Sequence, residues 1–74
     1  MDQNKIGEFI KKLRTENHLT QKEFADKYGV TYQAVSKWEN GKNLPDMSLI
    51  KQMSEYFNIG IDDLLDGEKN TKRQ

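Results

Sequence analysis

A chain of 74 residues without cysteine can build one small hydrophobic core, with neither a disulfide framework nor a thiolate metal site to support it. No apolar run approaches the roughly 18 residues of a membrane span and no signal-peptide apolar region opens the chain, so a cytoplasmic domain without membrane contact is expected. Twelve basic and twelve acidic side chains leave a net charge of zero, which departs from the basic surface usual for nucleic-acid binding.

The first predicted helix begins near Asn4 or Lys5. Ile6, Phe9, Ile10 and Leu13 fall on one apolar stripe, with Glu8, Lys11 and Lys12 turned away. It ends between Glu16 and His18. A second helix starts at Thr20, where Thr20-x-x-Glu23 is a capping box and Leu19 with Phe24 a hydrophobic staple. Phe24, Ala25 and Tyr28 form its inner face. Gly29 is the place for a turn, since glycine accepts positive φ at no steric cost.

Thr31 caps a third helix, and Val30 with Val35 repeats the staple spacing. That helix buries Val35 and Trp38 and stops at Asn40-Gly41. Pro45-Asp46 opens a fourth helix with Met47, Ile50, Met53 and Phe57 inward. Ile59-Gly60-Ile61 interrupts the pattern, and a short fifth helix over about 61–65 buries Ile61, Leu64 and Leu65. Residues 66–74 are polar and aperiodic. There is no repeat and no strand signal, so the expectation is an all-α fold of five short helices. Residues 1–66 form one domain, and residues 67–74 form a polar tail or linker.

The charge is unevenly spread. Residues 1–52 hold nine basic and seven acidic side chains, residues 53–68 hold five acids and no base, and residues 69–74 hold three bases. The acidic block therefore lies outside the second and third helices, whose surroundings can still be positive.

Two short helices joined by a glycine turn can present the second to a DNA major groove. Tyr32, Gln33, Ser36 and Lys37 face outward, opposite Val35 and Trp38. Gln33 can pair bidentately with adenine, Lys37 can donate to guanine, and Tyr32 can meet a thymine methyl or a phosphate. Gln21, at the start of the second helix, suits a phosphate. Lys42 lies on a loop whose amides suit another. Thr31 and Asn40, at the two ends of the third helix, complete the candidate DNA-binding set.

Other chemistry is poorly supplied. His18 is the only histidine and reads as a surface-loop residue. Asp62 and Asp63 are adjacent and share no helix face, so they read as first-turn charges favoured by the helix dipole. Without a nucleophile–base pair, metal-ligand spacing or a phosphate loop, neither catalytic activity nor a metal or cofactor is expected.

The stretch LTQKEFADKYGVTYQAVSKWENG, followed by a proline, resembles the lambda-repressor/Cro-like family, also called xenobiotic-response-element regulators. The match extends over roughly residues 6–65, with helix-turn-helix at about 20–39. The resemblance implies a five-helix domain that binds double-stranded operator DNA as a homodimer, most often as a repressor. It places Gln21 at the family's phosphate-binding glutamine and Tyr32, Gln33, Ser36 and Lys37 at its base-reading positions. It also places Ala25 where a small residue lets the two helices pack, and it pairs Arg14 with Glu39. Many phage repressors carry glutamine where this chain has Tyr32, so a different local hydrogen-bond pattern and operator preference are implied.

An alternative is an antitoxin or anti-repressor module of the same fold, directed at a protein partner. The neutral charge and the apolar segment 59–65 motivate it. Ile61, Leu64 and Leu65 suit either the core or a dimer contact. The tail suits a connection to a further C-terminal domain.

Overall fold

The first helix starts ahead of its apolar stripe because a carboxylate caps it there. In the computed structural model, which describes residues 2–68, Asp2 accepts hydrogen bonds through Oδ1 from the amides of Asn4 (2.9 Å) and Lys5 (3.2 Å). Helix α1 (Gln3–Glu16) therefore begins before Asn4. At its far end the Asn17 side chain donates to the Leu13 carbonyl. His18 makes the turn with φ of 59°, exposed to solvent.

Helix α2 (Gln21–Tyr28) has the complete capping box: the Glu23 amide donates to Thr20 Oγ1 (3.0 Å) and the Thr20 amide to Glu23 Oε1 (2.8 Å). Gly29 turns the chain at φ +68°, and open space surrounds the position a Cβ would take. Glycine is needed there for its backbone conformation, not for room. Thr31 Oγ1 then accepts from the Ala34 amide (3.2 Å) and starts α3 (Tyr32–Glu39).

Helices α4 (Met47–Phe57) and α5 (Ile61–Asp66) complete the fold, and the described residues contain no strand. Asp46 caps α4, accepting from the Leu49 amide (3.0 Å) and the Ser48 hydroxyl (2.8 Å). Those bonds, the Leu49 amide first, hold its carboxyl below the usual carboxylate range.

The core draws on every helix. Ile6, Phe9, Ile10 and Leu13 of α1 meet Phe24 and Ala25 of α2, Val35 and Trp38 of α3, Ile50 and Met53 of α4, and Leu64 of α5. Gly7 lets α1 press against the end of α3, since a Cβ there would lie 2.1 Å from the Trp38 carbonyl oxygen.

Two expected core residues lie outside. Met47 is 58% and Ile61 37% exposed. Each is the first residue of its helix. A helical side chain leans toward the N-terminus, so at the first position it overhangs the helix end. Leu49 packs against the core in place of Met47, and Leu65 is only half-buried.

The polar tail begins later than its composition suggests. Asp66 belongs to α5, and Gly67, at φ +73°, ends it with its amide on the Leu64 carbonyl (3.1 Å). The Glu68 amide bonds to the Asp63 carbonyl, and its carboxylate meets Lys5 Nζ at 3.4 Å. The rest of the expected linker, residues 69–74, lies outside the described residues. No helix among the described residues is long and apolar enough to cross a membrane.

Candidate nucleic-acid interface

Burial of Val35 and Trp38 turns the opposite face of α3 outward. Tyr32 is 51% exposed, Gln33 and Lys37 are exposed, and Ser36 is half-buried. These are the four positions at which base contacts are expected, and α3 brings them onto one side.

The two end residues are occupied with their own helix. The Thr31 hydroxyl oxygen caps Ala34. Asn40 Nδ2 donates to the Ser36 carbonyl (2.9 Å) and to Ser36 Oγ (3.3 Å), so it steadies a candidate base-reading hydroxyl.

The loop after α3 differs from expectation. The Gly41 amide donates to the Trp38 carbonyl (3.1 Å) and the Lys42 amide to the Lys37 carbonyl (2.9 Å). These amides close the last turn of α3 and are not directed at a phosphate. Lys42 offers only its exposed side chain.

At the head of α2, Thr20 takes the amides of Glu23 and Phe24. The amides of Gln21 and Lys22 then have no acceptor within the helix and carry its positive dipole end, an arrangement suited to an anion. The Gln21 side chain is not a loose solvated group. Its Nε2 donates to Glu39 Oε1 at 3.1 Å.

Glu39 sits at the centre of a buried polar frame. Arg14 grips it twice, Nε on Oε2 at 2.6 Å and Nη2 on Oε1 at 3.1 Å. A third guanidinium nitrogen, Nη1, donates to the Leu19 carbonyl at 2.8 Å. The Arg14 and Glu39 side chains are only 11% and 4% exposed. The ion pair implied by the family resemblance is present, and it is a bidentate, largely desolvated pair. Its link to Gln21 was not legible in the sequence, because the partners are 18 positions apart and obey no short-range spacing.

Among the surrounding cations, Lys22 pairs with Asp26 at 3.3 Å with both side chains exposed, a pair worth little. Lys27 lies 4.6 Å over the Tyr56 ring. Lys11, Lys12, Lys37 and Lys42 are solvent-exposed. Leu64 is fully buried and serves the core, so of the three residues weighed for a dimer contact only Ile61 and Leu65 retain accessible surface.

The described structure superimposes on the solution structure of the SOS-response transcriptional repressor LexA from Eubacterium rectale with a TM-score of 0.80 and 26% identity, covering 99% of this chain and 74% of that one. The chain is 42% identical over 64 residues to the HTH-type transcriptional activator BcrR of Enterococcus faecalis, covering 86% of this chain and 31% of that protein. It is 36% identical over 64 residues to the antitoxin PezA of Streptococcus pneumoniae, covering 86% of this chain and 40% of that protein. The chain thus spans less than half the length of these two relatives. The helix-turn-helix family profile matches residues 10–64. With five helices among its described residues, its capped α2–α3 unit and this match over most of its length, the chain belongs to the helix-turn-helix family of transcriptional regulators, in the branch read from its sequence.

Proposed function

We propose that this chain is a sequence-specific DNA-binding domain of a transcriptional regulator. Helix α3 lies in the major groove and the head of α2 rests on the phosphate backbone. The observation that carries this reading is the outward face of α3, with Tyr32, Gln33, Ser36 and Lys37 together, beside an α2 head whose Gln21 is held in place. Gln33 and Lys37 read base edges, and Tyr32 contacts a methyl group or a phosphate. Lys42, the amides of Gln21 and Lys22, and the Gln21 side chain position the domain. Thr31 and Asn40 act mainly by fixing the ends of α3.

Two copies related by a two-fold axis would read half-sites about 34–36 Å apart. The domain works in the cytoplasm and has no catalytic activity. Similarity to an activator and to a repressor supports a shared DNA-reading unit whose sign of regulation is decided elsewhere. A second reading, an antitoxin-type module, is favoured by the likeness to PezA.

The test is selection of bound duplexes from a random pool, followed by anisotropy titration across salt concentrations. A two-fold symmetric consensus, with affinity falling steeply as salt rises, is expected. Recovery of no consensus, together with a stoichiometric protein partner retained after Gln33→Ala/Lys37→Ala substitution, would favour the second reading instead.

A further inference from the structure

The proposed function assigns Gln21 to a phosphate but leaves open how its long, flexible side chain is aimed. We propose that Glu39, one position before the end cap of the recognition helix, is the positioning residue for Gln21 and so for the backbone contact at the head of α2. This inference rests on the DNA-binding reading.

The chemistry fixes the orientation. An ionised carboxylate only accepts hydrogen bonds, so Gln21 must turn its Nε2 and not its carbonyl oxygen toward Glu39 Oε1, 3.1 Å away. An amide nitrogen carries two hydrogens. One lies on Glu39, and the second remains for a phosphate oxygen beside the unpartnered amides of Gln21 and Lys22. A bare carboxylate so near would repel that phosphate. Arg14 neutralises it through the two bonds at 2.6 and 3.1 Å.

The same guanidinium donates to the Leu19 carbonyl, immediately before the Thr20 cap. Arg14 therefore holds the approach to α2, Glu39 holds the end of α3, and Gln21 bridges them. The side chain that meets the backbone is ordered before DNA arrives, so its rotamer entropy is not lost on binding.

A double-mutant cycle separates this role from a structural one. The double variant Arg14→Met/Glu39→Met replaces the buried pair by apolar groups of similar volume, an exchange that folded domains tolerate. The probe is the duplex recovered by selection with the unmodified chain. Gln21→Ala alone should weaken binding about tenfold or more, the value of a hydrogen bond to a charged group. The Met/Met variant should already be weakened to a similar degree, with an unchanged melting temperature or a higher one. Adding Gln21→Ala to it should then change affinity less than about twofold.

Wild-type affinity in the Met/Met variant, or an equal loss from Gln21→Ala in both backgrounds, would overturn the inference. A readout independent of folding variants is the side-chain amide of Gln21 in the free, unmodified chain. Its protons should be resolved and slow to exchange, whereas averaged, rapidly exchanging signals would contradict the bond. If the unmodified chain binds no duplex, the DNA-binding reading itself fails and this inference with it. If it binds but the cycle is additive, only the positioning role fails.

Discussion

Beneath the exposed face of α2 and α3, Arg14, Glu39 and Gln21 join three helices through directional, charge-assisted hydrogen bonds. Helices α4 and α5 meet the rest through Ile50, Met53 and Leu64, with the Lys27 ammonium of α2 over the Tyr56 ring and with local hydrogen bonds such as the Asp46 cap and the Ser54 hydroxyl on the Lys51 carbonyl. Apolar burial is non-directional and holds elements together without fixing their angle closely. A bidentate ion pair loses strength when its geometry slips. The half that presents the candidate contact residues is thus the half with a directional frame. The α4–α5 half supplies burial.

If that contrast is right, single truncations should act differently in the two halves. Glu39→Ala strands the Arg14 guanidinium in a largely buried site and should cost about 3–5 kcal/mol in chemical denaturation. A loss below about 1 kcal/mol would mean that water reaches the pair freely. In the other half, Leu64→Ala should cost about 3 kcal/mol, while Ile61→Ala, at a half-exposed helix start, should cost about 1 kcal/mol or less. Equal costs at the two positions would contradict the burial pattern.

A smaller effect lies on the boundary of the halves. The Tyr28 hydroxyl is buried with no hydrogen-bond partner among the described residues, in an aromatic cluster with Phe24 and, through it, Phe57. Tyr28→Phe should therefore stabilise the domain by about 1 kcal/mol. Burial, and secondarily Tyr56, pushes the Tyr28 hydroxyl up to about 12 from 10.0. The unfolded chain then ionises first, so Tyr28 costs stability progressively as pH rises from 10.0 toward about 12. The advantage of Tyr28→Phe should widen over that window in denaturation curves. A constant gap would sink the assignment.

The smallest effect belongs to the α4 cap. Asp46 is held ionised by the Leu49 amide and the Ser48 hydroxyl, so its contribution is full above the ordinary carboxylate pKa and fades as pH falls through the lowered value. Asp46→Asn keeps a capping oxygen without the charge. It should flatten the acid side of the stability profile relative to the unmodified chain, and identical profiles would exclude this role.

What was legible in the sequence was local. Thr20 and Glu23, Gly29, Thr31 and Asp46 mark helix starts and a turn within a few residues of where they act, and each does so in the structure. Periodicity found the stripes but not their ends. It carried Met47 and Ile61 inward because spacing alone does not record that a first-position side chain overhangs its helix. The Asp2 cap carries no such signal, because no apolar residue accompanies it.

Sequence position alone leaves the loop amides after α3 looking free for a phosphate, although Asn40-Gly41 marks a helix stop whose carbonyls claim them. The Arg14–Glu39 pair came from family resemblance alone. The Gln21–Glu39 bond depends on how α2 and α3 cross, which no local pattern encodes.

The central claim is that the outward face of α3 reads bases while Val35 and Trp38 on its opposite face pack the core. Duplex selection repeated with Gln33→Ala tests it most directly, beside a melting curve of the same variant. The account predicts an unchanged melting temperature, loss of preference at an adenine-bearing position in each half-site, and a penalty of about 1–3 kcal/mol on the original duplex. The same consensus recovered at the same affinity would contradict it.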